Sequence, residues 1–167
     1  MTRSPAVQVR SARPEDSPAI VQLILELAEY EQLRHHAQPD AERLREHLFG
    51  PHPFAEAVVA EAEGSIIGYA LFFPTYSTFR TQPGLYLEDL YVQPAYRRRG
   101  IGTALIASVA ACAVARGCTR LEWSVLTWNA PAIRFYEQLG AEPLREWQTH
   151  RLSGAALARL AARAPTR

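Results

Sequence analysis

The fold of this chain can be predicted outward from "LYLEDLYVQPAYRRRGIG", residues 85–102. An apolar and aromatic run ends at Pro94, three arginines follow, and two glycines open an alanine-rich segment. The run predicts a strand over Leu85–Val92, because its residues favour a pleated sheet and proline stops it. The segment after the arginines predicts a helix that begins at Gly100. A strand, a tight basic loop and a helix therefore follow one another directly.

This junction has the chemistry of a phosphate site. A helix that begins straight after a strand points unpaired backbone N–H groups at one spot, and the helix dipole favours an anion there. Gly100 and Gly102 let the chain turn sharply and let the anion approach the backbone. A P-loop would need Gly-Lys-Ser/Thr, and a dinucleotide fingerprint would need a glycine where Leu105 stands, so neither motif is present.

The segments on either side alternate between helical and strand patterns. The rest of the chain predicts a strand at 7–9, helices over 14–31 and 39–50, a hairpin over 54–77 with its turn at 63–64, a helix from 100 to a closing Gly117, a strand over 120–128, a helix over 129–140 with Asn129 as N-cap, a last strand over 146–154, and a helix or frayed tail from 155. The helix from Gly100 has scarcely a polar residue, so we expect it to be covered on most sides. This order predicts an α/β fold with a mixed sheet, antiparallel in its N-terminal half with a parallel pair in the middle, flanked by helices.

Length and composition narrow the class of protein. The 167 residues predict one domain, with a core over about 7–154 and a C-terminal tail over 155–167. A formal net charge of +1 makes a polyanion-binding surface for nucleic acid unexpected, so any anion site must be local. Cys112 and Cys118 do not form a disulfide framework and read as ordinary thiols of unassigned role. The start of the chain has no apolar leader and no stretch long enough to span a membrane, which predicts a cytoplasmic protein.

Further matches extend the pattern. The segment "WNAPAIRFYEQLGA" follows the glycine motif one helix and one strand later. Together they resemble the GNAT superfamily of acyl-CoA-dependent N-acetyltransferases, in which R/Q-x-x-G-x-G/A binds the coenzyme A pyrophosphate and N-x-x-A-x-x-x-Y lies on the next helix. "ELAEYE", "GPHPFAEAVVAE", "PTYSTF", "VLTWN" and "LGAEPL" are similar to the diamine and thialysine (spermidine/spermine-type) branch, over about Val9 to Gly154.

The resemblance implies a set of site residues. Tyr136 is implied as general acid toward the coenzyme A sulfur, and Glu88 as the residue that lines the amine site. The implied amine contacts also include Tyr30 and Trp123. The implied coenzyme contacts are Leu90, Tyr91, Val92, Arg97, Arg98, Arg99, Gly100, Ile101, Gly102, Thr103, Asn129, Ala132 and Tyr136.

Structural explanations compete with several of these roles. Glu88 is either a base that acts through water, a charge that attracts the ammonium group, or an ion-paired acid at a strand edge. Simple alternation places Glu88 on one face with Leu90, and Asp89 on the other with Leu87 and Tyr91. Tyr136 could instead be a core tyrosine, Asn129 a plain N-cap, and Tyr30 a packing residue; Trp123 could be core or cleft wall.

The expected function is transfer of acetyl from acetyl-CoA to a primary amine of a small molecule, in a direct ternary complex without a covalent enzyme intermediate. A lysine-like amine such as thialysine is favoured over a polyamine, because Ser77 stands where polyamine-acetylating members carry an acid. Acetylation of protein lysine or an antibiotic amine, and a non-catalytic acyl-CoA-binding module, are the alternatives. The resemblance also implies a homodimer. The five histidines show no metal-ligand spacing, so no metal is expected.

Overall fold

The structure is a computed structural model that describes residues 6–165. Within them lie five α-helices and five β-strands: β1 Val7–Ser11, α1 Ser17–Tyr30, α2 Ala41–Phe49, β2 Glu56–Ala62, β3 Ser65–Ser77, β4 Gln82–Val92, α3 Ile101–Ala115, β5 Leu121–Glu122, α4 Ala130–Gln138 and α5 Gly154–Ala161. The chain divides into two compact units, the first ending at Ser124 and the second beginning at Val125. Each unit is described by itself.

The first unit is built on a five-stranded sheet in the order β1-β2-β3-β4-β5. The first four strands pair antiparallel, through consecutive short connections, whereas β4 and β5 pair in parallel. A parallel pair needs a crossover between its strands, and α3 supplies it. The α/β class and the mixed sheet predicted from the sequence are confirmed.

Helices cover both faces of this sheet. On one face, α1 and α2 pack on the strands through an apolar cluster, whose buried members are Ile20, Leu23, Leu48, Ala57, Val59, Tyr69 and Tyr91. On the other face, α3 buries Leu105 and Val109 completely. Among residues 6–165, no helix is both long and apolar enough to cross a bilayer.

The structure corrects three predictions of local structure. β4 begins at Gln82, ahead of the predicted Leu85, whereas only Leu121–Glu122 of the predicted strand over 120–128 is a strand. The predicted strand over 146–154 is not formed. A strand exists only where a neighbour accepts its backbone bonds, and that neighbour cannot be read from the segment itself.

The apolar helix α3 is covered less than its composition predicts. Its buried residues, including Ile101, Leu105 and Val109, recur every four positions and form a single stripe. The opposite side is exposed and consists mainly of alanine, with Val114 77% exposed. Small side chains explain the difference, because alanine is tolerated in water although it scores as apolar.

A buried ion pair fixes the start of the fold. The Arg10 guanidinium donates to both carboxylate oxygens of Asp16, at 2.7 and 3.0 Å, and its Nε donates to Glu61 on β2 at 2.9 Å. The backbone N–H of Arg13 donates to Asp16 at 2.7 Å. The Asp16 side chain is only 6% exposed, so this carboxylate ties β1, β2 and the entry to α1 together.

Replacing Asp16 with asparagine should lower the free energy of unfolding by about 3 kcal/mol, because the mostly buried Arg10 loses its main charged partner. The matched control is Glu56→Gln in the Arg116–Glu56 pair, whose side chains are both 42% exposed, with an expected loss below about 1 kcal/mol. Urea unfolding at pH 7 measures both losses. Equal losses for the two variants would contradict the claim that the buried Arg10–Asp16 pair stabilises the fold more than the exposed Arg116–Glu56 pair.

The same pair should make stability depend on acid. The hydrogen bond from Arg10 holds the pKa of the Asp16 carboxyl below its ordinary value of 3.8. The ionised Asp16 carboxyl therefore contributes its full share to the free energy of unfolding above pH 3.8. That contribution is lost as the pH falls through the folded-state pKa, which lies below 3.8. The gap in stability between the native protein and Asp16→Asn should shrink as urea unfolding is repeated at successively lower pH below 3.8.

Candidate active site

The N-terminus of α3 presents open backbone amides. Gly100 is its N-cap, with φ of +77°, and no side chain caps this end. The first backbone bond of the helix runs from the Ala104 N–H to the Gly100 carbonyl at 2.9 Å, so the amides of residues 101–103 precede the helical ladder. A Cβ built at Gly100 would meet no described atom within 4 Å. The described residues therefore leave space at Gly100 for a ligand to approach the start of the helix.

The arginine triplet leads into this end along an unusual path. Arg98 has a left-handed φ of +60°, a conformation that favours glycine. Arg98 and Arg99 are exposed, and the Arg99 guanidinium carbon lies 5.6 Å from the centre of the Tyr96 ring. Thr103, in the first turn of α3, is exposed as well. Positive side chains and helix amides thus lie close together along the chain.

Strand β4 has one edge that is only partly paired. Its parallel ladder with β5 consists of Leu85 with Leu121 and Tyr86 with Glu122. Among the described residues, the next six positions of β4, up to Val92, have a strand neighbour only on the β3 side. The second edge of β4 therefore leaves backbone groups without a strand partner beside Leu90 and Val92, where the resemblance implies coenzyme contacts, and of these the Val92 carbonyl already accepts from Arg97.

A β-bulge in β4 changes which acids face which way. Leu71 pairs with Asp89 and Phe72 with Leu87, so Glu88 is left without a β3 partner. Leu87 and Asp89 consequently lie on opposite faces, which corrects the simple alternation predicted from the sequence. Asp89 does share the α1 face with Tyr91, as expected, and Glu88 is exposed at the bulge.

Asp89 has a partner that the sequence did not reveal. The Tyr69 hydroxyl, on a fully buried side chain, donates to the Asp89 carboxylate at 2.9 Å. Burial raises the pKa of Asp89, and the charge of Glu88 raises it further, against the opposing effect of this hydrogen bond. Burial, followed by the charge of Asp89, also raises the pKa of Glu31. Glu31, one residue past α1, is thus an acid near the site that sequence reasoning missed.

Three predicted site residues meet at the end of β4. The Arg97 guanidinium carbon lies 5.1 Å from the centre of the Tyr30 ring and 5.3 Å from that of Tyr91. Its Nε donates to the Val92 carbonyl at 2.7 Å. These side chains help line a groove of about 570 Å³, formed by Gln22, Leu25, Glu26, Glu29, Tyr30, Arg34, Tyr91, Pro94 and Arg97. The polar face of α1 therefore faces this groove.

The remaining predicted residues belong to two places. Trp123 follows β5 in the first unit and is half-buried. In the second unit, the Asn129 side chain accepts a hydrogen bond from the Ala132 N–H at 3.3 Å, which confirms Asn129 as the N-cap of α4. Tyr136 lies two turns into α4, half-buried, with its ring 5.3 Å from that of Phe135. Within residues 6–165, no group of three potential metal ligands comes together.

The comparisons with known proteins agree with this geometry. The acetyltransferase (GNAT) family matches residues 20–141. A thialysine N-epsilon-acetyltransferase of Mus musculus is 41% identical over 95% of this chain and 99% of its own. An L-ornithine N5-acetyltransferase of Arabidopsis thaliana is 32% identical over 90% of this chain and 86% of its own.

A solved structure supports the fold independently. An integron cassette protein of V. cholerae superposes with a TM-score of 0.78 at 25% identity, covering 95% of this chain and 99% of that protein. The predicted resemblance to the diamine and thialysine (spermidine/spermine-type) branch is confirmed by the sequence relatives. This chain belongs to the acetyltransferase (GNAT) family and is an N-acetyltransferase.

Proposed function

We propose that this enzyme transfers the acetyl group of acetyl-CoA to a primary amine of a small, lysine-like molecule. The observation that carries the proposal is the uncapped N-terminus of α3, placed directly after the half-paired strand β4. Backbone amides at a helix start suit a pyrophosphate, and an open strand edge suits an extended chain that carries amide groups. Coenzyme A contains a pyrophosphate followed by an extended pantetheine chain with amide groups.

The residues present fit the coenzyme along one continuous path. The backbone of Arg97–Thr103 would hold the pyrophosphate, with Arg98 and Arg99 adding positive charge. The edge of β4 at Leu90, Tyr91 and Val92 would hold the acetyl-pantetheine arm. The open space in front of Gly100 supports this assignment, because a phosphate must approach the backbone closely there. Asn129 and Ala132 enter the proposal through the family motif.

The chemistry requires the protein to accept the proton of the amine, to hold the thioester carbonyl and to stabilise the departing thiolate. A carbon–nitrogen bond forms as the carbon–sulfur bond of the thioester breaks, and the amine gives up a proton. A free alkylamine has a pKa of about 10.4, so exposing its lone pair at pH 7 costs about 4–5 kcal/mol. Glu88 at the bulge would attract the ammonium group or pass its proton to water, and Tyr136 would hydrogen-bond or protonate the departing thiolate.

Two observations support the proposed class of amine substrate, namely the few acidic side chains near the site and the substrates named for the relatives. Those names include thialysine and L-ornithine, both amino acids with a side-chain amine. Ser77, the last residue of β3, is buried and brings no charge. Glu31 adds an acid to Glu88 and Asp89, but Asp89 is bound by Tyr69, and burial, followed by the charge of Asp89, raises the pKa of Glu31. We therefore propose a substrate with one reacting ammonium group and few further positive charges.

Two further expectations from the sequence remain proposals, namely a homodimer and a cytoplasmic location. Leu157 and Leu160 on α5 are 53% and 54% exposed, which supports a contact with a second copy. A sedimentation mass of 18.7 kDa at micromolar concentration would contradict the dimer.

Gly100→Val should abolish the rise in melting temperature that coenzyme A gives the native protein, because the new side chain takes the position of the phosphate. The variant also suffers backbone strain at φ of +77°. Gly117→Val is the matched control, since Gly117 lies at the other end of α3 with φ of +68° and equally open surroundings. The control should lose stability but keep the shift. A full shift in Gly100→Val would contradict the phosphate site.

Tyr136→Phe should lower kcat about 10- to 100-fold while the coenzyme dissociation constant stays nearly unchanged, because the hydroxyl matters mainly as the thiolate forms. Steady-state kinetics and calorimetric coenzyme titration measure the two effects. Normal turnover per folded molecule, with only a lower melting temperature, would show that Tyr136 serves packing alone.

Values of kcat/KM for thialysine, lysine, ornithine and spermidine should rank the amino acids above the polyamine. A well-made charged contact contributes about 1.5–3 kcal/mol, and a polyamine needs several spaced carboxylates to gain from its extra charges. Thiol release monitored with each amine makes the comparison. A clear preference for spermidine would contradict the argument from Ser77, while the acetyltransferase activity itself would stand.

A further inference from the structure

The Arg97 side chain is engaged by the protein itself. Its Nε donates to the Val92 carbonyl at 2.7 Å, and its guanidinium carbon lies over the rings of Tyr30 and Tyr91 at 5.1 and 5.3 Å. A cation within about 6 Å of an aromatic centre is attracted by the ring face. Arg97 is therefore held from three sides, two of them aromatic.

These contacts join three elements that serve different tasks. Tyr30 is the last residue of α1, on the proposed amine side, and Val92 is the last residue of β4. Arg97 itself opens the segment that leads to the N-terminus of α3. One guanidinium thus links the amine-side helix to the start of the coenzyme loop.

A second set of bonds fixes the same helix to the same strand end. Glu26 on α1 accepts hydrogen bonds from the Tyr91 hydroxyl at 3.3 Å and from the Gln93 amide at 3.1 Å. Arg97 and Glu26 therefore hold Tyr91 from the ring face and from the hydroxyl. The next residue, Arg98, has a left-handed φ of +60°, so the loop takes its rare conformation directly beside this anchored point.

We infer that Arg97 is a positioning residue, which sets the coenzyme loop against Tyr30 and so couples coenzyme binding to amine binding. Its side chain acts through the loop backbone, and the pyrophosphate is bound by amides and by the arginines that follow. This role rests on the proposed function, because it concerns the same coenzyme and amine sites.

The role differs from that of a phosphate ligand in what a substitution does. Lysine carries the same charge and would serve a phosphate, but it lacks the flat guanidinium that stacks on two rings while donating to a carbonyl. Tyr30 would have no effect on the coenzyme unless something connects it to the loop. The contacts of Arg97 with Val92, Tyr30 and Tyr91 form a clamp between the two sites, so breaking this clamp should weaken the binding of both ligands.

The test measures the binding of coenzyme A in a variant of the amine-side residue Tyr30, and the binding of both ligands in a variant of Arg97. Calorimetry without amine gives the dissociation constant of coenzyme A, and steady-state kinetics at saturating acetyl-CoA give the amine KM. Tyr30→Ala should weaken coenzyme A about five- to tenfold, and Arg97→Lys should weaken it similarly while raising the amine KM by a like factor. Combining both substitutions should cost little more than either one.

Two matched controls distinguish loss of the clamp contacts from a general loss of structure or of positive charge in the groove. Tyr30→Phe keeps the ring and should bind coenzyme A within about twofold of the native protein. Arg34→Ala removes another guanidinium that lines the same groove, and it should also change the constant less than about twofold. Melting curves confirm that each variant is folded before titration.

The possible outcomes separate the role of Arg97 from coenzyme binding itself. Native affinity in both Tyr30→Ala and Arg97→Lys would overturn the positioning role and leave the proposed function in place. A second outcome is that Arg97→Lys binds coenzyme A weakly but keeps its amine KM, while Tyr30→Ala binds coenzyme A normally. Arg97 would then be a plain coenzyme contact, and the positioning role would be overturned. Failure of the native protein to bind coenzyme A would overturn the proposed function and this role with it.

Discussion

Strand β4 has neighbours on both edges for only a short part of its length, and the proposed chemistry depends on that interruption. The ladder with β5 covers Leu85 and Tyr86, and bonds from Thr119 to Pro83 and from Leu85 to Arg120 extend it toward the start of the strand. Backbone N–H and C=O groups need partners, so an edge that stops pairing beside a helix N-terminus is prepared for an extended polar ligand. The coenzyme binding that we propose follows from this constraint.

The bulge at Glu88 adds the second element of the site. It shifts the register of β4 by one residue, so that Leu87 and Asp89 lie on opposite faces, with Asp89 beside Tyr69 on the α1 face and Glu88 exposed. Two consecutive acids thereby acquire different environments. Asp89 is bound and mostly buried, which suits a structural or electrostatic role, whereas Glu88 is free to meet solvent and a substrate.

The sequence predicted those features that are encoded locally. The hairpin turn at Glu63–Gly64, the helix start at Gly100 and the N-cap at Asn129 all depend on a few adjacent residues, and all three are found. The length of β5 could not be predicted, because it depends on where β4 stops offering bonds. Nor could the bulge, since the apolar pattern around Glu88 reads as plain alternation. Glu31 was missed for a similar reason, because only the tertiary fold brings it near Asp89.

The central claim is that the amides of residues 101–103 and the open edge of β4 bind the coenzyme. Two-dimensional amide NMR during a titration with coenzyme A tests it most directly. The account predicts the largest shift changes and slowed hydrogen exchange at Ile101, Gly102 and Thr103, with smaller changes from Leu90 to Val92. Binding that leaves these amides unchanged and perturbs only other parts of the chain would contradict it.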